Sequence, residues 1–191
     1  MPLIALFSGM RLNEICQLNV EDMRVVDGIH CFIGTMDVEN GVVDKKLKTS
    51  SGERLIPVHP ELIRIGFLEH VSERKNSRGE NLFPDLTVAK SGYYRDTFSK
   101  FFAIFLDKAC AKAPRTSFHS FRHNFRDALR QARVDREIAL ALGGWAGDGA
   151  DDDEAADNYG RGFKATTPFA AISEISYDLD LMHLHRADYE P

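Results

Sequence analysis

Three separated segments of this 191-residue chain carry side chains that could act together on a phosphodiester. They are SGMRLNEICQL around Arg11, SFHSFRHNF with His119 and Arg122, and GGWAG…DNYGRGF with Trp145 and Tyr159. Phosphoryl transfer from DNA without a metal needs fixed positive charge on the phosphate oxygens, a nucleophile in line, and an acid for the leaving oxygen. Arginine suits the first role because its planar fork grips two oxygens and stays charged at any working pH. His119 and Arg122 are three apart, so on a helix they share a face and can reach one phosphate.

Each signal is weak when taken singly. A lone helix arginine is usually solvated, a lone tryptophan usually packs, and a lone loop tyrosine usually does nothing. His119 and His123 have the i, i+4 spacing of metal ligands, but no Glu or Cys is placed to complete a zinc site, and the same holds for His183 and His185. No metal and no cofactor is therefore expected. Among the other tyrosines, Tyr177 follows Ile172 and Ile175 and reads as packing, Tyr189 lies in a polar tail, and Tyr93 and Tyr94 precede the His119–Arg122 pair.

The elements that must position these residues read as follows. Leu3 to Phe7 is apolar and runs directly into a helical pattern at Leu12, Ile15 and Cys16. Met23 to Val26, Ile29 to Ile33, Val42 to Lys48 and Arg54 to Val58 read as short strands, with turn chemistry at Asp27-Gly28, Asn40-Gly41 and Ser51-Gly52. Pro60 to Lys75 reads as one helix, followed by helices over 94–112, 119–133 and 135–142. Residues 143–153 are rich in Gly and Asp and read as a loop, with short helices expected at 157–159 and 168–176. The expected fold is α+β, mostly helical, with a small antiparallel sheet near the N-terminus.

The ordered set resembles the catalytic domain of the tyrosine recombinases of the phage integrase family. Arg11 with Glu14, the hairpin lysine Lys48 in KLKTSSGERLIPVHPEL, the H-x-x-R pair His119 and Arg122, Trp145 in LGGW, and Tyr159 follow that family's pattern in order over nearly the whole chain. The resemblance implies that Arg11 and Arg122 clamp the scissile phosphate while Trp145 packs against it and donates its indole N–H. It implies further that His119 assists proton transfer, Lys48 protonates the departing 5′ oxygen, and Tyr159 attacks to give a 3′-phosphotyrosine. A phenol with pKa ~10 is mostly protonated at neutral pH, so neighbouring cations and a base must activate it. Double-stranded DNA is the implied partner, with a homotetramer on two duplexes and a monomer without DNA.

The chain departs from the pattern in two places. An acidic run, Asp151 to Glu154, lies between Trp145 and Tyr159. The family's DNA-clamping domain is expected to be missing ahead of Arg11, so residues 1–176 are expected to be an N-terminally truncated catalytic domain and 177–191 a C-terminal tail. Over residues 164–191, some of Phe169, Ile172, Ile175, Leu179, Leu181 and Leu184 should be buried, because they exceed what a solvated terminus needs.

The net charge of −5 runs against a nucleic-acid partner, but the charge is uneven. Residues 44–54 and 112–136 are basic, and the acidic excess sits mainly in 147–157. A local basic patch can hold phosphate on an acidic chain. Three cysteines without a CxxC pair point to a reducing compartment, and no apolar stretch approaches the roughly 20 residues of a membrane span, so a cytoplasmic protein is expected. Integration or excision of a mobile element is the leading expectation. A type IB topoisomerase would share the chemistry without a second duplex, and a DNA-binding remnant would occupy a site without cutting.

Overall fold

The computed structural model describes residues 1–35, 53–90, 94–145 and 163–185. Helix α1 (Pro2–Ser8) starts on a proline, whose missing N–H costs nothing in a first turn. Ile4, Ala5, Leu6, Phe7 and Ser8 are all buried, so this short helix runs through the core. It ends at Gly9 with φ 64°, and a Cβ there would stand 2.3 Å from the Phe125 ring. Only glycine permits both the left-handed turn and that approach. Helix α2 (Leu12–Cys16) follows at once, with Glu14 accepting from the Arg11 backbone N–H at 2.5 Å.

Strands β1 (Met23–Val26), β2 (Ile29–Thr35) and β3 (Glu53–Pro57) form an antiparallel sheet in the order β1-β2-β3. The β1–β2 register pairs Val26 with Ile29, leaving Asp27 and Gly28 as a two-residue turn with φ 52° and 81°, the conformation a tight hairpin demands. Asp27 also accepts from the Ala165 N–H at 3.0 Å, which ties this turn to a helix near the far end of the chain. The strand expected over Val42–Lys48 lies outside the described residues.

The helix expected over Pro60–Lys75 is two: α3 (Pro60–Arg64) and α4 (Phe67–Asn76). The break falls at Gly66, in the left-handed conformation with φ 85°. Helices α5 (Arg95–Lys108), α6 (Ser120–Gln131), α7 (Arg136–Gly143) and α8 (Thr166–Ser173) complete the domain. The expected short helix at 157–159 lies outside the described residues. Phe98 and Phe102 of α5 pack on Phe118 and Phe121 with ring centroids 5.3–5.9 Å apart where they touch across elements, joining α5 to the start of α6. The mostly helical α+β architecture is the one the sequence implies.

Ile172 and Ile175 are buried, Phe169 and Leu181 partly so, while Leu179 and Leu184 are exposed. The segment after α8 is latched to the domain by three contacts. His59 meets the Ile175 carbonyl at 3.1 Å, the Tyr177 hydroxyl donates to the Leu6 carbonyl at 2.8 Å, and His185 pairs with Glu61 at 3.0 Å. Tyr177 is thus a packing residue, and burial raises its phenol further above the ordinary range.

Candidate active site

Arg122 is the centre of the site. It lies on the first turn of α6, where its N–H donates to the His119 carbonyl at 3.0 Å, so the two residues occupy one helical turn. His119 is exposed at the helix start, whereas Arg122 is only 5% accessible. A buried guanidinium must satisfy its donors, and Arg122 does so on backbone: Nη1 on the Gly9 carbonyl and Nη2 on the Gly143 carbonyl, each at 2.5 Å. A guanidinium carries five N–H donors, and among the described residues these two carbonyls are the acceptors that engage it. Burial is the main influence that pushes its pKa down, to about 10, with Arg54 and Arg11 adding like-charge repulsion. It stays cationic at neutral pH.

Arg11 caps α2 two residues beyond Gly9, with its side chain 36% exposed and Nη1 3.8 Å from Glu14 Oε1. Glu14 is buried and also pairs with Arg54 Nη2 at 3.0 Å. Arg54 enters from β3, is buried, and its Nη1 donates to the same Gly143 carbonyl that Arg122 uses. The contacts close into a ring: Arg11, Glu14, Arg54, the Gly143 carbonyl, Arg122, the Gly9 carbonyl, and back along the chain to Arg11. The ring binds the α1–α2 turn, β3, α6 and the end of α7 together. Gly144 completes that last corner with φ 60°, and a Cβ there would stand 2.5 Å from Arg54 Nη1.

Trp145 follows directly. The C-terminal cap of α7 fixes its backbone, the Trp145 N–H donating to the Leu140 carbonyl at 3.0 Å. Its indole lies 4.9 Å from Arg122 Cζ and 5.2 Å from Arg126 Cζ, with the Phe125 ring 6.4 Å away. His119 and His123 stack edge to face at 4.9 Å. Burial first, then His123, Arg122 and Arg11, hold the His119 imidazole below its usual range, which favours the neutral ring.

Four of the six residues singled out in the sequence, Arg11, His119, Arg122 and Trp145, therefore stand around one spot. Lys48 and Tyr159 lie outside the described residues. The sequence reading left out Arg54 and Arg126. Arg54 has the look of an ordinary polar strand residue, and its partners lie 40 and 89 positions away. Arg126 is one of several basic residues in its segment. Among the described residues no group of three or more His, Cys, Asp or Glu could hold a metal ion. Among them, too, no helix is long and apolar enough to cross a membrane. What the arrangement can do chemically is offer cationic N–H donors, a neutral imidazole and an indole to an anion.

The family model described as the phage integrase family matches residues 1–150. Among solved structures, the fold is similar to the integrase from mycobacterium phage Brujita, with 20% identity and a TM-score of 0.55 over 92% of this chain and 50% of that one. It is similar also to the XerH site-specific recombinase bound to difH substrate in a pre-cleavage complex, with 19% identity and a TM-score of 0.52 over 90% of this chain and 44% of that one. The chain thus spans half or less of the length of these two relatives. No curated protein matches it.

Proposed function

The chain belongs to the phage integrase family, and on that premise we propose that it cleaves and rejoins DNA strands at a specific site through a 3′-phosphotyrosine, integrating or excising a mobile element. The observation that carries the reading is the guanidinium ring, in which backbone carbonyls and one carboxylate hold Arg11 and Arg122 on either side of Gly9. Arg122 turns to the scissile phosphate donors that the Gly9 and Gly143 carbonyls do not take, and Arg11 brings a half-exposed fork. Both meet the charge that grows on the non-bridging oxygens in the transition state.

Trp145 donates its indole N–H to the same phosphate. His119, held neutral, takes the proton of the attacking phenol or shares it with a phosphate oxygen. Tyr159 is the nucleophile and Lys48 the acid that protonates the departing 5′ oxygen. Attack forms the tyrosine O–P bond as the P–O5′ bond breaks. The phosphotyrosine keeps the energy of the phosphodiester, so rejoining by a 5′ hydroxyl needs no ATP. Residues 1–176 form the catalytic unit in this reading and 177–191 its tail, and the working assembly is a homotetramer on two duplexes.

The test is covalent trapping. A pool of nicked duplexes of randomised sequence is incubated with the chain, and DNA that stays bound after denaturation is recovered and sequenced. Wild type should form the adduct, and Tyr159→Phe should not. Strand exchange between two recovered duplexes separates a recombinase from a topoisomerase. Binding without any adduct would leave a DNA-occupying protein in place of an enzyme.

A further inference from the structure

The chain contains a single tryptophan, and two arginines on α6 address its ring. Arg122 and Arg126 are i, i+4, so they stand one turn apart on the same helix face. Their situations differ. Arg122 is buried and spends two donors on carbonyls, while Arg126 is exposed, and among the described residues no carboxylate pairs with it. Its guanidinium lies over the indole, 5.2 Å from Cζ to the ring centroid. A guanidinium over an indole is attracted by the ring quadrupole, and tryptophan is the best such partner.

A second cation here carries an electrostatic cost. The Arg126 charge adds to the repulsion that lowers the Arg122 pKa, so the ring contact offsets a like-charge pair. The backbone of Trp145 is fixed by the α7 cap, but that cap leaves the side-chain torsions free. One side of the ring rests on Gly143 of α7, where a Cβ would stand 2.1 Å from Trp145 Cε3, and α6 adds Arg122, Phe125 and Arg126, of which Phe125 is fully buried.

We propose that Arg126 is a positioning residue, whose guanidinium holds the Trp145 indole against Arg122 in the orientation in which its N–H reaches the reacting phosphate. The proposal rests on the strand-cleaving reading above. Arg126 acts through Trp145 and not on DNA directly, so its effect falls on the rate of cleavage at saturating DNA more than on affinity.

The experiment uses the full chain, with the best-cleaved duplex from the randomised pool as probe. Single-turnover cleavage and DNA affinity are measured for wild type, R126A, R126K, W145A and the double variant R126A/W145A. R126A should slow cleavage roughly three- to tenfold, in line with the loss of one cation–π contact, at nearly unchanged affinity. R126K should recover most of that loss, because a lysine still presents a cation to the ring. In the W145A background, R126A should cost nothing more. Trp145 emission supplies a readout without DNA: R126A should increase acrylamide quenching, and R126K should increase it less. An equal loss of affinity from R126A with and without Trp145 would overturn the proposal and make Arg126 a phosphate contact. Unchanged quenching in R126A would overturn it too. If the wild type forms no adduct, the strand-cleaving reading fails, and the quenching arm alone then decides whether the Arg126–Trp145 contact exists.

Discussion

Glu14→Gln removes the only carboxylate of the guanidinium ring and keeps its shape. The side chains of Glu14 and Arg54 are 2% and 3% exposed, so water cannot take over the lost charge. Arg11 lies 3.8 Å from the same carboxylate, and the negative charge of Glu14 also favours the cationic form of Arg122. Breaking one partner out of a buried pair leaves an uncompensated charge and costs about 3–5 kcal/mol. A domain of this size loses roughly 2–4 °C of melting temperature per kcal/mol, so the variant should melt about 6–20 °C lower. Circular dichroism and Trp145 emission should report the same transition, because Trp145 sits on the ring. The double variant Arg54→Met with Glu14→Leu should lose much less than the two single changes together, since neither member of that pair is then left buried without the other. A Glu14→Gln protein melting within about 2 °C of wild type would refute the reasoning, because a buried pair of this geometry cannot be broken at no cost.

Three further outcomes are expected. Gly144→Ala should cost at least about 1–2 kcal/mol from the left-handed backbone alone, and more because its Cβ would stand 2.5 Å from Arg54 Nη1; urea unfolding measures this. His59 is held down to about 4, chiefly by burial and against the pull of the Ile175 carbonyl, so it is neutral in the folded chain and charges more readily once unfolded. Its contribution is complete above the unfolded value of ~6.5 and is lost as pH falls toward 4, about 3 kcal/mol in all; His59→Gln should flatten that part of the melting-temperature profile. Deleting residues 177–191 removes the Tyr177–Leu6 hydrogen bond and the Phe7–Tyr177 ring contact, and should lower the melting temperature of the monomer. If light scattering instead showed a dimer that the deletion dissolved with no change in melting, the tail would be an assembly arm.

The elements that local chemistry specifies were legible in the sequence. The Asp27-Gly28 hairpin has the residues that a two-residue turn requires, and the register confirms it. The Pro60–Lys75 helix misled because Leu62, Ile63, Phe67, Leu68 and Val71 keep a helical period straight across the Gly66 break. At the site, the spacing of His119 and Arg122 foretold a shared turn but not that Arg122 is buried. Burial depends on which carbonyls come within reach, and Gly9 lies 113 positions away. Arg54 gave no local signal at all. A charged residue within a strand is ordinarily a solvated one, and only the fold brings Glu14 and Gly143 to it.

The ring also explains how like charges can be crowded here. Arg11, Arg54, Arg122 and Arg126 bring four positive charges to Glu14's one negative, leaving three uncompensated among these five groups. Carbonyl dipoles of Gly9 and Gly143 and the Trp145 quadrupole orient the cations but carry no net charge. Direction is thus fixed by groups that cannot neutralise, which among the described residues leaves the cluster suited to an anion. Further carboxylates would stabilise the cluster but compete with an anion for the same donors. Glu14 avoids that competition by engaging Arg54 and Arg11, so that among the described residues the fork of Arg122 is held by carbonyls and not by a carboxylate.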